Sequence, residues 1–427
     1  MSAPRAKNRG RPVARAAEGR TGALTYILAA TAIAGAVGYA IQLLAPVLLP
    51  DSESYLGFSV YWSTVYVLVA ALAGVQQEIS RATTPGETPA SGATLRSFAL
   101  LIAGAAAVVA VVTALVVAPS AFPDDTVGSA FWIVVAVVGY VATAVLAGVL
   151  YGLSMWRVVA ALAVADALLR AVLVGLALVA HAPHAWIAAA VSVPFGGAFL
   201  LAWFFVRRRI VGNFRLDVGA RRLIVNTVST VTAAAATGLI VTGVPVVLRT
   251  TMPDVDAGIL ASLVLTITIT RAPLIVPIMA LQSYLIVDFR SSERPLGRRL
   301  ATYLAALAAV TAVGAALAVF FAEPLLSQFT NGRYEVPGWV AGGIVASAGA
   351  VAALCVTGPA LLSRSRHDWY VGGWLLAALA TVLLLLLLPA GPYERVVVAL
   401  AVAPLLGIVV HVVALRLPAR GTTATAR

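Results

Sequence analysis

Charge is scarce in this chain: only 11% of its 427 residues are Asp, Glu, Lys or Arg, while 61% are apolar. A water-soluble domain of that composition has too little polar surface, so a soluble globular fold is excluded. Cysteine is nearly absent as well. Cys355 stands alone, which rules out an intrachain disulfide and suits a small apolar residue packed inside a helix. The sequence also has no Cys/His metal spacing, no phosphate-cradling glycine loop, no nucleophile elbow and no H-E-x-x-H pair. No connection between the apolar stretches is long enough for a catalytic domain, so neither enzymatic activity nor a bound metal or cofactor is expected.

What is present is apolar sequence in long runs, with a mean hydropathy of +0.98. About 20 residues of helix cross the hydrocarbon core. Runs of that length recur at 23–48, 57–80, 96–118, 129–152, 156–179, 185–206, 223–249, 257–287, 299–321, 337–362, 369–389 and 394–416. They are continuous rather than alternating, which favours helices over a transmembrane barrel. The expected fold class is therefore an all-α polytopic membrane protein of about twelve transmembrane helices.

The net charge of +12 has a topological use, and no nucleic-acid motif accompanies it. Residues 1–22 carry Arg5, Lys7, Arg9, Arg11, Arg15 and Arg20 against Glu18 alone, the pattern of a disordered cytoplasmic tail beside anionic lipid. The apolar run that follows is too long for a cleavable signal peptide. Connections on the same side hold Arg81 and Arg96, Arg157, the cluster Arg207–Arg209 with Arg215, Arg221 and Arg222, then Arg290, Arg294, Arg298 and Arg299, and finally Arg364 and Arg366. Opposite connections hold Asp51, Glu53, Asp124, Asp125, His181, His184, Asp254 and Asp256, with Arg249, Arg333 and Arg395 as positive exceptions. The positive-inside rule then places both termini in the cytoplasm, Arg416 and Arg420 closing the chain, and the Ala-, Val- and Arg-rich usage fits a GC-rich bacterial genome and an inner-membrane location. The basic segment 207–222 falls halfway along the sequence and reads as a linker between two six-helix lobes, 23–206 and 223–416, around a central cavity, with 417–427 as a second tail.

Polar side chains within spans are costly and turn inward or pair. Glu78 and Arg81 share a face at i,i+3, and Asp166 and Arg170 at i,i+4; each pair suits a cavity lining or a structural ion pair. Arg271 follows Thr266, Thr268 and Thr270 and precedes Pro273, Pro277 and Gln282 in one span. Proline removes backbone donors, so a broken helix with an arginine near its middle is expected there, with a guanidinium suited to phosphate or diphosphate. Gly243 with Pro245, Pro194 with Gly196 and Gly197, and Gly358 with Pro359 are further candidate interruptions. His411 has no visible acid and reads as a buried hydrogen-bonding group. The glycines around Gly338, Gly342 and Gly343 suit close helix packing.

The twelve spans in two halves, the entry Tyr55-Leu56-Gly57, the polar ending from Gly74 through Gln76, Gln77 and Glu78 to Arg81, and the run Thr270-Arg271-Ala272-Pro273-Leu274 resemble the multidrug/oligosaccharidyl-lipid/polysaccharide exporter superfamily. Within it, the likeness is to the bacterial polysaccharide-biosynthesis, O-antigen flippase-like branch. The resemblance implies alternating access that carries a polyprenyl-diphosphate-linked saccharide to the outer leaflet, the lipid tail staying in the bilayer. It makes Arg271 the first candidate for the diphosphate, with Arg81, Arg170 and Gln282 behind it. Ion gradients commonly drive this superfamily, which makes Glu78 or Asp166 the candidate site for H⁺ or Na⁺ coupling. The partners implied are the lipid-linked saccharide, membrane lipids, and a polysaccharide polymerase or glycosyltransferase. Lipid II flippases of the superfamily usually have fourteen spans, which argues against that assignment. Small-molecule antiport on the same fold, an envelope-assembly scaffold and a lipid-linked glycosyltransferase are the alternatives.

Overall fold

Inside a bilayer every backbone N–H and C=O needs a partner, and helices supply one internally. The computed structural model describes residues 11–86, 88–122, 125–291 and 295–418. Arg5, Lys7, Arg9, Asp124, Arg294 and Arg420 lie outside them. Twelve helices among the described residues are long and apolar enough to cross a membrane. The first six spans are α1 (Arg11–Leu48), α2 (Ser52–Ala82), α3 (Pro89–Ala121), α4 (Thr126–Gly152), α5 (Trp156–Val179) and α6 (His184–Ile210). Then come α7 (Ala220–Thr242), the short α8 (Val244–Thr251), α9 (Ala257–Ser291), α10 (Leu296–Thr330), α11 (Gly338–Ser363), α12 (His367–Leu387) and α13 (Pro392–Arg416).

Three expectations change. The helix of the first span begins at Arg11, so residues 11–22 are helical rather than a disordered tail; the Ala- and Arg-rich run of this segment has good helix propensity. The all-α fold class holds, with one unexpected short ribbon in the connections: β1 (Thr83–Pro85) and β2 (Phe214–Leu216) pair antiparallel with Thr83 opposite Leu216. This ribbon satisfies backbone groups outside the apolar spans and ties the α2–α3 connection to segment 207–222; Ser91 Oγ accepts the Leu216 N–H at 3.1 Å. Finally, α9 stays helical through Pro273 and Pro277, and α6 and α11 through Pro194 and Pro359. Of the expected interruptions among the described residues, the one at Gly243 ends a helix, between α7 and α8.

α2 is the hub. It packs on α4 among the first six spans and on α7, α8 and α9 among the last. Its residues Tyr55 through Val65 are buried all round except Gly57, as a helix surrounded by others requires. α10 lies at the rim against α11 and exposes Val310, Val313, Leu317 and Phe320, a surface that lipid solvates.

Without a hydrophobic drive between helices in lipid, close backbone approach does the work. At Gly74 an added Cβ would lie 2.5 Å from the Thr230 backbone of α7, and at Gly338 2.0 Å from the Val319 carbonyl of α10. Thr230 Oγ1 also donates to the Gly74 carbonyl at 2.9 Å. Gly74→Leu should therefore destabilise the protein by about 1–3 kcal/mol. Gly35→Leu, where nothing lies within 4 Å, should leave thermal unfolding in detergent unchanged.

Candidate functional site

Arg271 sits on α9 and is 4% exposed. The three threonines before it spend their hydroxyl protons on their own helix: Thr266 donates to the Ser262 carbonyl, Thr268 to Val264 and Thr270 to Thr266, at 2.7–2.8 Å. The guanidinium spends one nitrogen on protein: Nη1 donates to the Ile240 carbonyl at 3.1 Å. Ile240 belongs to the last turn of α7, just before the Gly243 break, so a cation stands at the negative end of that helix. Its Nε and Nη2 are buried without a hydrogen-bond partner. Among the described residues Arg271 forms no ion pair.

The prolines matter through the carbonyls they free. Pro273 has no N–H for the Ile269 carbonyl, and Tyr39 of α1 donates its hydroxyl there at 3.0 Å. At the α7–α8 break, Ser63 of α2 donates to the Thr242 carbonyl at 2.7 Å and accepts the Val246 N–H at 3.4 Å. A hydroxyl from the first six spans is thus inserted into the interrupted ladder of the seventh.

The remaining predicted residues fall in separate places. Arg81, half exposed at the end of α2, grips Glu78 with Nε at 2.8 Å and Nη2 at 2.7 Å and reaches Asp217 at 3.9 Å. Asn226 of α7 donates to the same Glu78 carboxylate at 2.8 Å. Sequence reading missed Asn226; a lone amide in an apolar span was its signal. Arg170 is 2% exposed and committed: Nη2 reaches both Asp166 oxygens at 2.6 Å, Nη1 donates to the Val191 carbonyl at 2.8 Å, and the cation stands 3.9 Å from the Phe195 ring centroid. Gln282 lies three turns beyond Arg271 on α9. The structure therefore brings together Glu78 with Arg81 and Asp166 with Arg170, and leaves Arg271 apart from both.

His411 is fully buried, Nε2 facing the Tyr370 carbonyl at 3.2 Å and Nδ1 facing Thr357 Oγ1 at 2.8 Å. A carbonyl only accepts, so Nε2 carries a proton; the Thr357 hydroxyl beside Nδ1 also lies 3.1 Å from the Leu354 carbonyl. Among the described residues no group of three His, Cys, Asp or Glu side chains is placed to hold a metal ion.

No family model matches the chain. Two curated relatives are similar over most of its length. Uncharacterized protein Rv1510 of Mycobacterium tuberculosis is 31% identical over 414 residues, covering 95% of this chain and 92% of that protein. Uncharacterized protein Mb3654 of Mycobacterium bovis is 30% identical over 409 residues, covering 92% of each. Among solved structures, lipid II flippase MurJ in an inward closed conformation superposes with a TM-score of 0.63 at 10% identity, over 91% of this chain and 87% of that one. A eukaryotic MATE transporter gives 0.59 at 14% identity, over 93% and 96%. An inward-facing multidrug resistance MATE transporter of the MOP superfamily gives 0.54 at 13% identity, over 88% and 94%. The likeness to MurJ comes despite the fourteen spans expected of lipid II flippases. The fold is the one these transporter and flippase structures share, and the chain belongs to the family of the mycobacterial proteins Rv1510 and Mb3654.

Proposed function

We propose that the chain is an alternating-access flippase that moves a polyprenyl-diphosphate-linked saccharide from the cytoplasmic to the outer leaflet of a bacterial inner membrane, for cell-surface polysaccharide synthesis. Both termini lie in the cytoplasm in this reading, and 23–206 and 223–416 are the lobes that rock about a cavity. The observation that carries it is Arg271, a buried guanidinium in a membrane span with Nε and Nη2 unpartnered. Such a charge costs several kcal/mol unless an anion or further acceptors reach it. A diphosphate supplies both, since its oxygens match the planar fork and its charge neutralises the cation. The one protein bond of Arg271 goes to the turn beside the Gly243 break, so movement there releases the guanidinium toward the cavity. The name of MurJ, a lipid II flippase, fits a lipid-linked substrate whose tail stays in the bilayer. Cation antiport, suggested by the MATE likeness, would favour an unpaired acid, and both acids tested by geometry, Glu78 and Asp166, are already held by arginine.

Coupling to H⁺ or Na⁺ is assigned in this reading to Glu78. Its carboxylate bonds Arg81 on its own helix and Asn226 across the α2–α7 seam, so a cation displacing Arg81 would loosen the seam at this end. Asp166 acts as the counter-ion of Arg170. A polysaccharide polymerase or glycosyltransferase would act on the delivered substrate.

In proteoliposomes, a fluorescent polyprenyl-diphosphate oligosaccharide should be flipped by the wild type and about 10- to 100-fold more slowly by Arg271→Gln, the loss of charge-assisted bonds worth about 1.5–3 kcal/mol. Failure of the wild type to flip several such glycans under an imposed gradient would favour a small-molecule carrier or a scaffold. Glu78→Gln should flip at a rate that no longer responds to an H⁺ or Na⁺ gradient; an unchanged response rules Glu78 out. Asp166→Ala should cost about 3–5 kcal/mol of stability by stranding Arg170, and adding Arg170→Met should recover most of it in denaturant unfolding.

A further inference from the structure

The side of the membrane opposite the N-terminus is poor in arginine, and its exceptions are Arg249, Arg333 and Arg395. The structure gives two of them a shared use. Arg333 lies in the short connection between α10 and α11, where Asn331 (φ 52°) and Gly332 (φ 74°) turn the chain in the left-handed region. Its Nη1 reaches across to the end of α1, donating to the Leu49 carbonyl at 2.6 Å and the Pro46 carbonyl at 3.3 Å. Carbonyls at a helix C-terminus lack intrahelical donors and carry partial negative charge, which makes them ready acceptors for a guanidinium. The next residue, Tyr334, is fully buried and stands 5.5 Å, ring to ring, from the equally buried Tyr55 of α2.

Arg249 makes the second crossing. It ends α8 and meets Glu53, in the first turn of α2, at 3.3 Å. Arg395 differs: its Nη2 donates at 3.0 Å to the Ala390 carbonyl, five residues earlier in its own connection. The two crossing arginines both come from the last six spans, and both land on the α1–α2 hairpin.

We infer that Arg333 and Arg249 form a lock that holds the two six-helix groups together on the side opposite the N-terminus, and that opening to that side requires both contacts to break. The inference rests on the alternating-access reading above. Glu53 is 63% exposed, so its bond to Arg249 is weak, biasing the closed state by about 1.5- to 5-fold. A lock of that strength is closed at rest yet opens in a cycle.

The test is a spin-label distance measured on the full chain in lipid, without substrate. Labels go on Val127 at the start of α4, 83% exposed, and Leu325 near the end of α10, 61% exposed. The double variant Arg249→Gln/Arg333→Gln should enlarge a longer-distance population several-fold over the wild type. Arg395→Gln should match the wild type, and the charge exchange Glu53→Arg/Arg249→Glu should restore the closed distance that Arg249→Gln alone loses. Should the double variant fail to insert, Arg333→Gln alone is read in the same way. A distance distribution superimposable on the wild type's in the arginine variants, or an equal shift in Arg395→Gln, overturns the lock. Because no substrate is present, a chain that flips no lipid-linked saccharide still reports on the lock, and a functioning flippase without widening refutes the lock alone.

Discussion

A helix that crosses lipid cannot leave a carbonyl without a donor, and this chain breaks that rule locally at proline and glycine. Several contacts between the first six spans and the last follow from the repair. Tyr39 satisfies the carbonyl of Ile269 that Pro273 frees. Ser63 closes the gap in the ladder after Gly243, Arg271 takes the Ile240 carbonyl, and Arg333 takes the end of α1. Hydroxyls and guanidinium groups thus replace missing amides, and three of these four repairs pass between the first six spans and the last. Such bonds are few and each is modest. Around them, glycine lets α2 and α7 touch backbone to backbone.

The same constraint sorts the charges. Arg170 is fully answered by Asp166, a carbonyl and an aromatic face, and it holds α5 to α6. Arg81 is answered by Glu78 at the end of α2. Arg271 has one carbonyl. In water such a shortfall is trivial. In the membrane it stands out: of the buried arginines Arg170, Arg271 and Arg299 among the described residues, it alone has no ion pair. The flippase reading depends on that residue.

The span count and most span boundaries were legible because a 20-residue apolar run has few other uses; 156–179 is matched to the residue. Local ion pairs at i,i+3 and i,i+4 were legible for the same geometric reason. Long-range partners were not. Nothing near Glu78 in sequence points to Asn226, 148 residues away, and nothing near Pro273 points to Tyr39. The proline-rich α9 was expected to break and did not, and Tyr39 replaces the donor that Pro273 removes; the break falls at Gly243, two residues before Pro245. The ribbon of β1 and β2 carried no periodic signal, since three residues per strand are too few to show alternation.

The most direct measurement is the affinity of a polyprenyl diphosphate without its saccharide, titrated into the protein in lipid nanodiscs, for the wild type, Arg271→Gln and Arg81→Gln. The account predicts saturable binding that weakens at least about tenfold in Arg271→Gln and stays near the wild-type value in Arg81→Gln. Equal affinity in wild type and Arg271→Gln would contradict it, and would return Arg271 to the role of a helix-end cap.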